Sequence, residues 1–561
     1  MRPMLETGAP LTSRKKANSN DDPLRETDRG SRSDGCLTTV TQHVTPDTIS
    51  QGIAARACSV CLIIPPSSFL LDERVFVSLG VLKVAGSLEA RCYKVNLLDL
   101  SGIENYLLAL TDYVRTSTDQ AVGITATTPQ LPAVMSIVRA IRQLRPDLKI
   151  ILGGPHVTLI YSALKLERRR GAIGRAHRAA SQLEQNFDVL VSGDGELAIF
   201  EALGVQAPKV VDGDDPKGGL FLTDRIFSDG PLPARHLVDL NTYHYTIDGN
   251  SATSLVAQLG CPFNCGFCGG RSSNSLRRIR NRSVSSILRE IEMLHREYGY
   301  TGFMFYDDEL NVSRTMVELM NGLADLQSTL GTEFRLRGFV KSELFTEDQA
   351  IAMRRAGFRW LLCGFEAAND RILVNINKRA TLRDNNRCIE LAKRHGLKTK
   401  ALMSCGHPGE SEESIEDIRN WLIQSEVEDF DCTIITTYPG TPYYDLAEPH
   451  SHLSDVWTYT HPKTGDRLHA CEIDYAVSAN YYKGNPDAGY QSFVFTDYLS
   501  AEQIVQRRDR IEREVRERLR IPYNAGAASR LYEHSMGQGL PPSIHRQSPG
   551  RTQLPLGGFQ P

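Results

Sequence analysis

The sequence predicts an α/β chain in two blocks, a doubly wound parallel sheet followed by a partial barrel of six β/α repeats. Short Val/Ile/Leu runs alternate with longer amphipathic stretches through most of residues 51–445, as they do where crossover helices join parallel strands. A stretch broken by "GDDPKGG" and "SDGPLPA", between residues 206 and 250, interrupts that rhythm and divides it in two. The length, 561 residues, leaves room for three or four domains of about 150 residues each.

Taken in order, residues 1–50 are rich in Ser, Arg, Asp, Thr and Gly, a composition that cannot offset its ordering entropy and predicts a disordered leader. The first block, 51–205, has strand-like runs at 60–66, 93–100, 121–128, 149–154 and 187–193. Between them, "LPAVMSIVRAIRQLRP" places Val134, Ile137, Val138, Ile141 and Leu144 on one helical face. A doubly wound sheet of this kind holds its ligand at the carboxyl ends of its strands.

Residues 206–250 are read as a linker. The second block, 251–445, runs through "SLVAQLG", "GFMFYDDE", "FRLRGFV", "RWLLCGFE", "KTKALMSCG" and "DCTIITTYPG". Functional groups of a barrel sit at the C-terminal ends of such strands. Residues 446–535 are expected to form a small α-rich region over the barrel mouth, with Trp457, Tyr459, Tyr475, Tyr481, Tyr482 and Tyr490 as substrate-covering or core aromatics. Its clearest helix, "EQIVQRRDRIEREVRERLRIP", has only Ile511, Val515 and Leu519 as an apolar stripe and reads as a packed surface helix. The Pro/Gly-rich end, 536–561, reads as a disordered tail.

A 41% hydrophobic, 23% charged composition with formal net charge -3 is that of an ordinary globular protein and predicts no nucleic-acid partner. The Arg-rich stretch at 165–180 has no interleaved aromatics and reads as a solvated helix. No apolar run reaches the ~18 residues of a membrane span, and a cytoplasmic location is expected. The 12 cysteines are scattered apart from one cluster, which predicts reduced thiols rather than a disulfide scaffold.

That cluster is "QLGCPFNCGFCGG", with Cys261, Cys265 and Cys268 spaced C-x3-C-x2-C among Pro, Asn and Gly. A closed structural zinc site wants four ligands, so this reading needs a distant His or Cys. Three thiolates instead suit a [4Fe–4S] cube, one iron each, with the fourth iron left open for chemistry. The glycines let the loop curl round such a cube.

"CPFNCGFC", with Phe267 before the last cysteine, resembles the signature of the radical S-adenosylmethionine (SAM) superfamily, and the resemblance extends over roughly residues 250–445. It implies that SAM chelates the open iron and is cleaved there to a deoxyadenosyl radical. "FMFYDDEL" is similar to the family's strand end that meets the methionine amino group, which makes Asp307, Asp308 and Glu309 candidate SAM contacts. "RWLLCGFEAANDRILVNINK" resembles the family's Gly-Phe/Ile-Glu strand and places Glu366 near SAM. "SCGHPGESEES" also matches, with Ser411 or Ser414 capping the next helix. Lys341 stands where many relatives have Arg, or else is a surface lysine; Cys363, Cys405 and Cys432 read as small buried residues.

The first block, through "LGVLKVAGSLEARCYKVNLLDLSG", "GITATTPQLPAVMSIVRAIR", "ILGGPHVT" and "LVSGDGE", resembles the cobalamin-binding subclass of that superfamily. This implies a Rossmann-like cobalamin domain, with Thr125, Thr127, Gly153, Gly154 and His156 as candidate contacts. Ser101 stands where an Asp-x-His-x-x-Gly motif would carry an axial histidine.

The resemblance as a whole implies cobalamin-dependent methyl transfer to an unreactive carbon of a small molecule, a secondary-metabolite or lipid precursor. The alternative is a radical cyclase or rearranging enzyme without net methyl transfer. The implied cofactors are a [4Fe–4S] cluster, SAM and cobalamin, and the implied partner is an electron donor of flavodoxin or ferredoxin type.

Overall fold

The computed structural model describes residues 58–67, 69–70, 73–484 and 489–522; the predicted leader and tail lie outside them. The first sheet comprises β1 (Ser59–Ile64), β2 (Lys94–Asp99), β3 (Ala121–Thr125), β4 (Lys149–Gly153), β5 (Val189–Gly193) and β6 (Val210–Gly213). Its order is β2-β1-β3-β4-β5-β6, parallel throughout, so the direction of winding reverses at β1 and β3. β1 is buried along its whole length, as a strand covered on both faces requires. The predicted stripe Val134, Ile137, Val138 and Ile141 is buried on the helix Leu131–Leu144.

The second sheet contains β7 (Thr246–Ile247), β8 (Asn250–Leu255), β11 (Gly302–Phe305), β12 (Arg335–Val340), β13 (Phe358–Glu366), β14 (Lys398–Cys405) and β15 (Asp429–Ile434), with the small hairpin β9 (Gln258–Leu259) and β10 (Arg280–Asn281) between. Its order is β15-β14-β13-β12-β11-β8-β7. Six strands run parallel and β7 lies antiparallel on the edge, which is the expected partial barrel. Phe303, Phe305, Leu361, Cys363 and Met403 face one core with the surrounding helices. Met304 and Leu362 face a second, into which the segment after β1 inserts Val75 and Phe76. The Phe76 ring lies 4.6 Å from Tyr245 and 5.3 Å from Tyr306, so the two blocks share packing.

Residues 206–250 are not a bare linker. They supply β6 and also Arg235, which is 2% exposed and donates to Glu290 Oε1 at 3.1 Å, the Ser254 carbonyl at 2.7 Å and Thr253 Oγ1 at 3.1 Å. Burial opposes ionisation of Glu290, but Arg282 and Arg235 hold it below the usual carboxylate range. The sequence reading missed this because its Gly/Asp/Pro signals surround a strand only four residues long.

The C-terminal region also departs from the α-rich expectation. Four antiparallel strands, β16 (Glu448–Pro449), β17 (Val456–Thr460), β18 (Arg467–Cys471) and β19 (Val494–Thr496), precede the helix Ala501–Leu519. They are too short to show a clear alternation. Tyr475 and Tyr481 pack with the first block's core, and Tyr459 and Tyr490 with the barrel's.

The last helix does more than cover surface. β15 is the barrel's edge strand, and Arg508, Glu512 and Arg516 stand four residues apart along the buried face of the helix. Arg516 Nη2 donates to the Phe430 carbonyl at 2.7 Å, Arg508 Nε to the Cys432 carbonyl at 2.7 Å, and Glu512 Oε1 accepts from Cys432 N at 3.1 Å. Side chains thus take the place of the strand that would close the barrel. Ion pairs with Asp429, and of Lys400 with Asp429 and Asp431, balance the charges. Replacing Arg516 by Leu leaves buried carboxylates uncompensated and is expected to cost about 3 kcal/mol in urea denaturation followed by tryptophan fluorescence. Arg513→Leu, on the exposed face of the same helix, should stay within about 0.5 kcal/mol of the parent.

Candidate functional site

The cysteine loop follows β9 and is held from several sides. Arg271 donates to the carbonyls of Cys261 (3.0 Å), Phe263 (2.7 Å) and Gly269 (3.0 Å), and Gly266 N donates to Ile376 O at 2.8 Å. Phe263 and Phe267 pack with Cys265 against Ala367, Ile372, Leu373 and Ile376. Gly266 is required by close approach, since a Cβ there would stand 2.1 Å from the Tyr443 ring. Cys265 is buried and Cys261 and Cys268 are half-buried. A hydrogen bond from Cys268, assisted by Lys378 and Lys341 against the effect of burial, lowers the Cys265 thiol to about 6.

Around this loop stand groups from the C-terminal ends of successive strands. After β11, Asp307 turns inward: Oδ1 accepts from Ala257 N at 2.8 Å and from Gln258 N, and burial pushes its carboxyl up to about 7. It pins the turn before the loop. Asp308 is exposed. Glu309 faces the loop: burial raises it to about 7 against the pull of Lys378 and Lys341, and Cys265 adds to the rise. The Gln258 amide donates to the Glu309 carbonyl at 3.3 Å, while its own buried Oε1 has no partner.

Lys341, after β12, is no surface lysine. It is 2% exposed, pairs with Glu343 at 2.6 Å, donates to Lys378 O at 2.9 Å and sits 4.3 Å from the Phe263 ring centroid. Glu366 ends β13 with φ +65° at a shift in strand register, a strained conformation for a residue with a Cβ. Its Oε1 is 3.1 Å from Lys378 Nζ, and its Oε2 accepts from Ser404 Oγ at 2.8 Å. Gly364 makes room for this pair, because a Cβ there would lie 2.6 Å from Glu366 Oε1. Ser411 caps the helix Glu412–Ser425. Cys363 lies 3.7 Å from Cys388, and Cys405 lies 3.4 Å from Cys432, all buried and unbridged.

The sequence reading did not single out Arg271, Lys378, Ser404, His407 or Gln258. Gln258, Lys378, Ser404 and His407 lie inside stretches it quoted, but their spacing has no period that marks them.

A second feature lies at the C-terminal ends of β1, β3, β4 and β5. It is a cavity of about 330 Å³ with Leu62, Gly123, Thr125, Gly153, Gly154 and Val191 among its walls. Gly154 has φ +95°, and a Cβ there would stand 2.6 Å from Thr125 Oγ1. Thr127 does not line the cavity; its N–H donates to Gln130 Oε1 at 2.9 Å in a capping box. His156 does not line it either. That ring is buried with Nδ1 3.1 Å from Thr128 Oγ1 and Nε2 unpartnered, and burial lowers it to about 4. Ser101 does not line the cavity.

These residues fit the implied cofactors. Three thiols with two buried ammonium groups suit a cluster whose thiolates need charge compensation. The unpartnered Gln258 oxygen and the Glu309 carboxyl offer acceptors to an ammonium group. The apolar, glycine-floored cavity suits a bulky, flat-sided ligand. Among the described residues, no helix is long and apolar enough to cross a membrane.

Comparison with known proteins agrees with this geometry. Residues 255–422 match the model of the radical SAM superfamily, and residues 73–198 that of the B12 binding domain. An uncharacterized methyltransferase of Pyrococcus horikoshii is 26% identical over 70% of this chain and 83% of its own length. The anaerobic magnesium-protoporphyrin IX monomethyl ester cyclase of Rubrivivax gelatinosus is 25% identical over 67% of each chain. The fold is like that of the radical SAM methyltransferase TsrM from Kitasatospora setae, solved with cobalamin and a [4Fe–4S] cluster bound, with a TM-score of 0.58 over 81% of this chain and 91% of that one at 16% identity. The chain belongs to the radical SAM superfamily and carries a B12-binding domain ahead of its radical SAM domain, so its cofactors are a [4Fe–4S] cluster, SAM and cobalamin.

Proposed function

We propose that this enzyme is a cobalamin-dependent methyltransferase that modifies an unreactive carbon of a small molecule, a secondary-metabolite or lipid precursor. One observation supports this above the rest: the two sites are contiguous. Leu259, Ser275 and Leu276, which flank the cysteine loop, also line the glycine-floored cavity. The loop packs on the first block as well, since a Cβ at Gly269 would stand 2.7 Å from Leu159. A methyl carrier and a radical source that serve one carbon need this proximity.

When bound, these cofactors supply one-electron cleavage of SAM and carriage of a methyl group on cobalt. The protein's part is placement. Cys261, Cys265 and Cys268 would hold three irons, while Lys341 and Lys378 would offset the thiolate charge. Glu309, the Gln258 oxygen and Glu366 receive the donor groups of SAM, with Asp308 at the rim; Asp307 serves them by fixing the preceding turn. Thr125, Gly153 and Gly154 seat cobalamin. An electron donor of flavodoxin or ferredoxin type would supply electrons to the cluster.

Anaerobic reconstitution with iron, sulfide and cobalamin, followed by reductant and SAM, should yield both deoxyadenosine and S-adenosylhomocysteine by mass spectrometry, and Cys265→Ala should abolish both. Deoxyadenosine without S-adenosylhomocysteine would point instead to a rearrangement or to cyclisation, the latter being the activity named for the Rubrivivax relative. Gly153→Leu projects a side chain into the cavity at an overpacking cost of about 1–3 kcal/mol, roughly a 5- to 150-fold loss of affinity. Bound cobalamin, read by its visible absorption, should fall accordingly while iron and sulfide content stay at the parent level.

A further inference from the structure

His407 lies just beyond β14 with none of its surface exposed, in a row of side chains that ends on Glu366. Its Nε2 is 2.7 Å from Ser404 Oγ, and Ser404 Oγ is 2.8 Å from Glu366 Oε2. Its Nδ1 is 3.4 Å from the Tyr443 hydroxyl, which also lies 3.3 Å from the Asn375 carbonyl. On the far side of the carboxylate, Lys378 Nζ stands 3.1 Å from Oε1.

The directions of these hydrogen bonds follow from elementary donor and acceptor capacities. A carboxylate paired with the Lys378 ammonium only accepts, so the Ser404 hydroxyl gives its proton to Glu366. Ser404 Oγ is then free only to accept from the ring, which places the ring proton on Nε2. Nδ1 is left as an acceptor, and the single Tyr443 hydroxyl proton is shared between it and the Asn375 carbonyl. Burial, with a further contribution from Lys378, lowers the ring to about 3 and keeps it neutral, as this arrangement requires.

Glu366 needs such support. With φ +65° and a break in strand register, its side chain is not aimed by the ordinary alternation of a strand. Its direction depends on the partners at its two oxygens.

We propose that His407 is a positioning residue for SAM binding: through Ser404 it holds the Glu366 carboxylate in the orientation that receives SAM. The proposal rests on the assignment of Glu366 to SAM given above. A purely packing role for the ring, which lies 5.5 Å from Phe267 and 6.2 Å from Tyr443 between centroids, predicts that any aromatic would serve. A positioning role demands a donor toward Ser404.

The test uses the full chain, reconstituted anaerobically, and four variants: His407→Phe keeps the aromatic packing and removes the donor, His407→Gln keeps a donor, Ser404→Ala cuts the row one link nearer Glu366, and Ser404→Thr keeps the hydroxyl. Equilibrium dialysis with labelled SAM gives the affinity, and the EPR spectrum of the reduced cluster with and without SAM gives a readout independent of turnover. His407→Phe and Ser404→Ala should bind SAM about tenfold more weakly and show a diminished SAM-induced change in the spectrum, with iron content and the SAM-free spectrum as in the parent. His407→Gln and Ser404→Thr should recover most of the affinity.

Parent-like binding in both His407→Phe and Ser404→Ala overturns the proposal, as does a His407→Gln no better than His407→Phe. If His407→Phe fails to assemble a cluster, the Ser404 pair decides by the same criterion. A parent protein that assembles its cluster but binds no SAM would strike the underlying assignment, and this proposal with it, which separates the two failures.

Discussion

Six parallel strands do not close a barrel by hydrogen bonding, and the site at their C-terminal ends depends on how the open edge is held. An exposed edge strand carries unpaired N–H and carbonyl groups that invite slippage or association. Here the backbone of β15 is met by Arg508, Glu512 and Arg516 of the last helix, with Lys400, Asp429 and Asp431 completing the charge balance. Buried charges are costly alone and tolerable when each finds a partner. The helix therefore gives β14 and β15 a defined position, and through β14 it positions Ser404 and His407.

At the other end of the strands, charges of both signs are concentrated. Glu309, Glu366, Lys341, Lys378 and three thiols stand within a shell of buried side chains, where electrostatic interactions are less screened than in water. The same burial that raises Glu309 to about 7 strengthens its attraction for an incoming cation or ammonium group. Strain at Glu366 belongs to the same economy, because a left-handed residue persists only where its surroundings over-determine it.

The two blocks are coupled by small, specific insertions. Phe76 enters the concave face of the barrel from the first block, and Leu159 packs against Gly269 of the cysteine loop. Arg280 meets Asp194 across the same boundary. A loop that carries the cysteines and closes a cavity in the neighbouring block ties the two sites together, so displacement of one block would disturb both.

Local pattern made much of this legible. The alternation of apolar runs marked the strands of both sheets, and the stripe on Leu131–Leu144 marked its buried face, because these follow from backbone periodicity over a few residues. The C-x3-C-x2-C spacing marked the loop for a similar reason: its thiols are neighbours in the chain. The four-residue β6 and the short strands β16–β19 escaped notice because they offer too few positions for a period.

By itself, then, the sequence determined the α/β class, the two blocks, the cysteine loop and the strand ends on which Glu309 and Glu366 stand. Only the tertiary structure decided which polar groups work inward and which face the site. Asp307 turned to the backbone while Glu309 faced the cysteines; Thr127 and His156 lay outside the cavity that Thr125 and Gly154 line. Partners such as Glu366 and Ser404, 38 residues apart, or Arg516 and Asp429, 87 apart, meet through folding alone. Such pairing is set by three-dimensional proximity and by the cost of burying an unpaired polar group, neither of which leaves a local period in the chain.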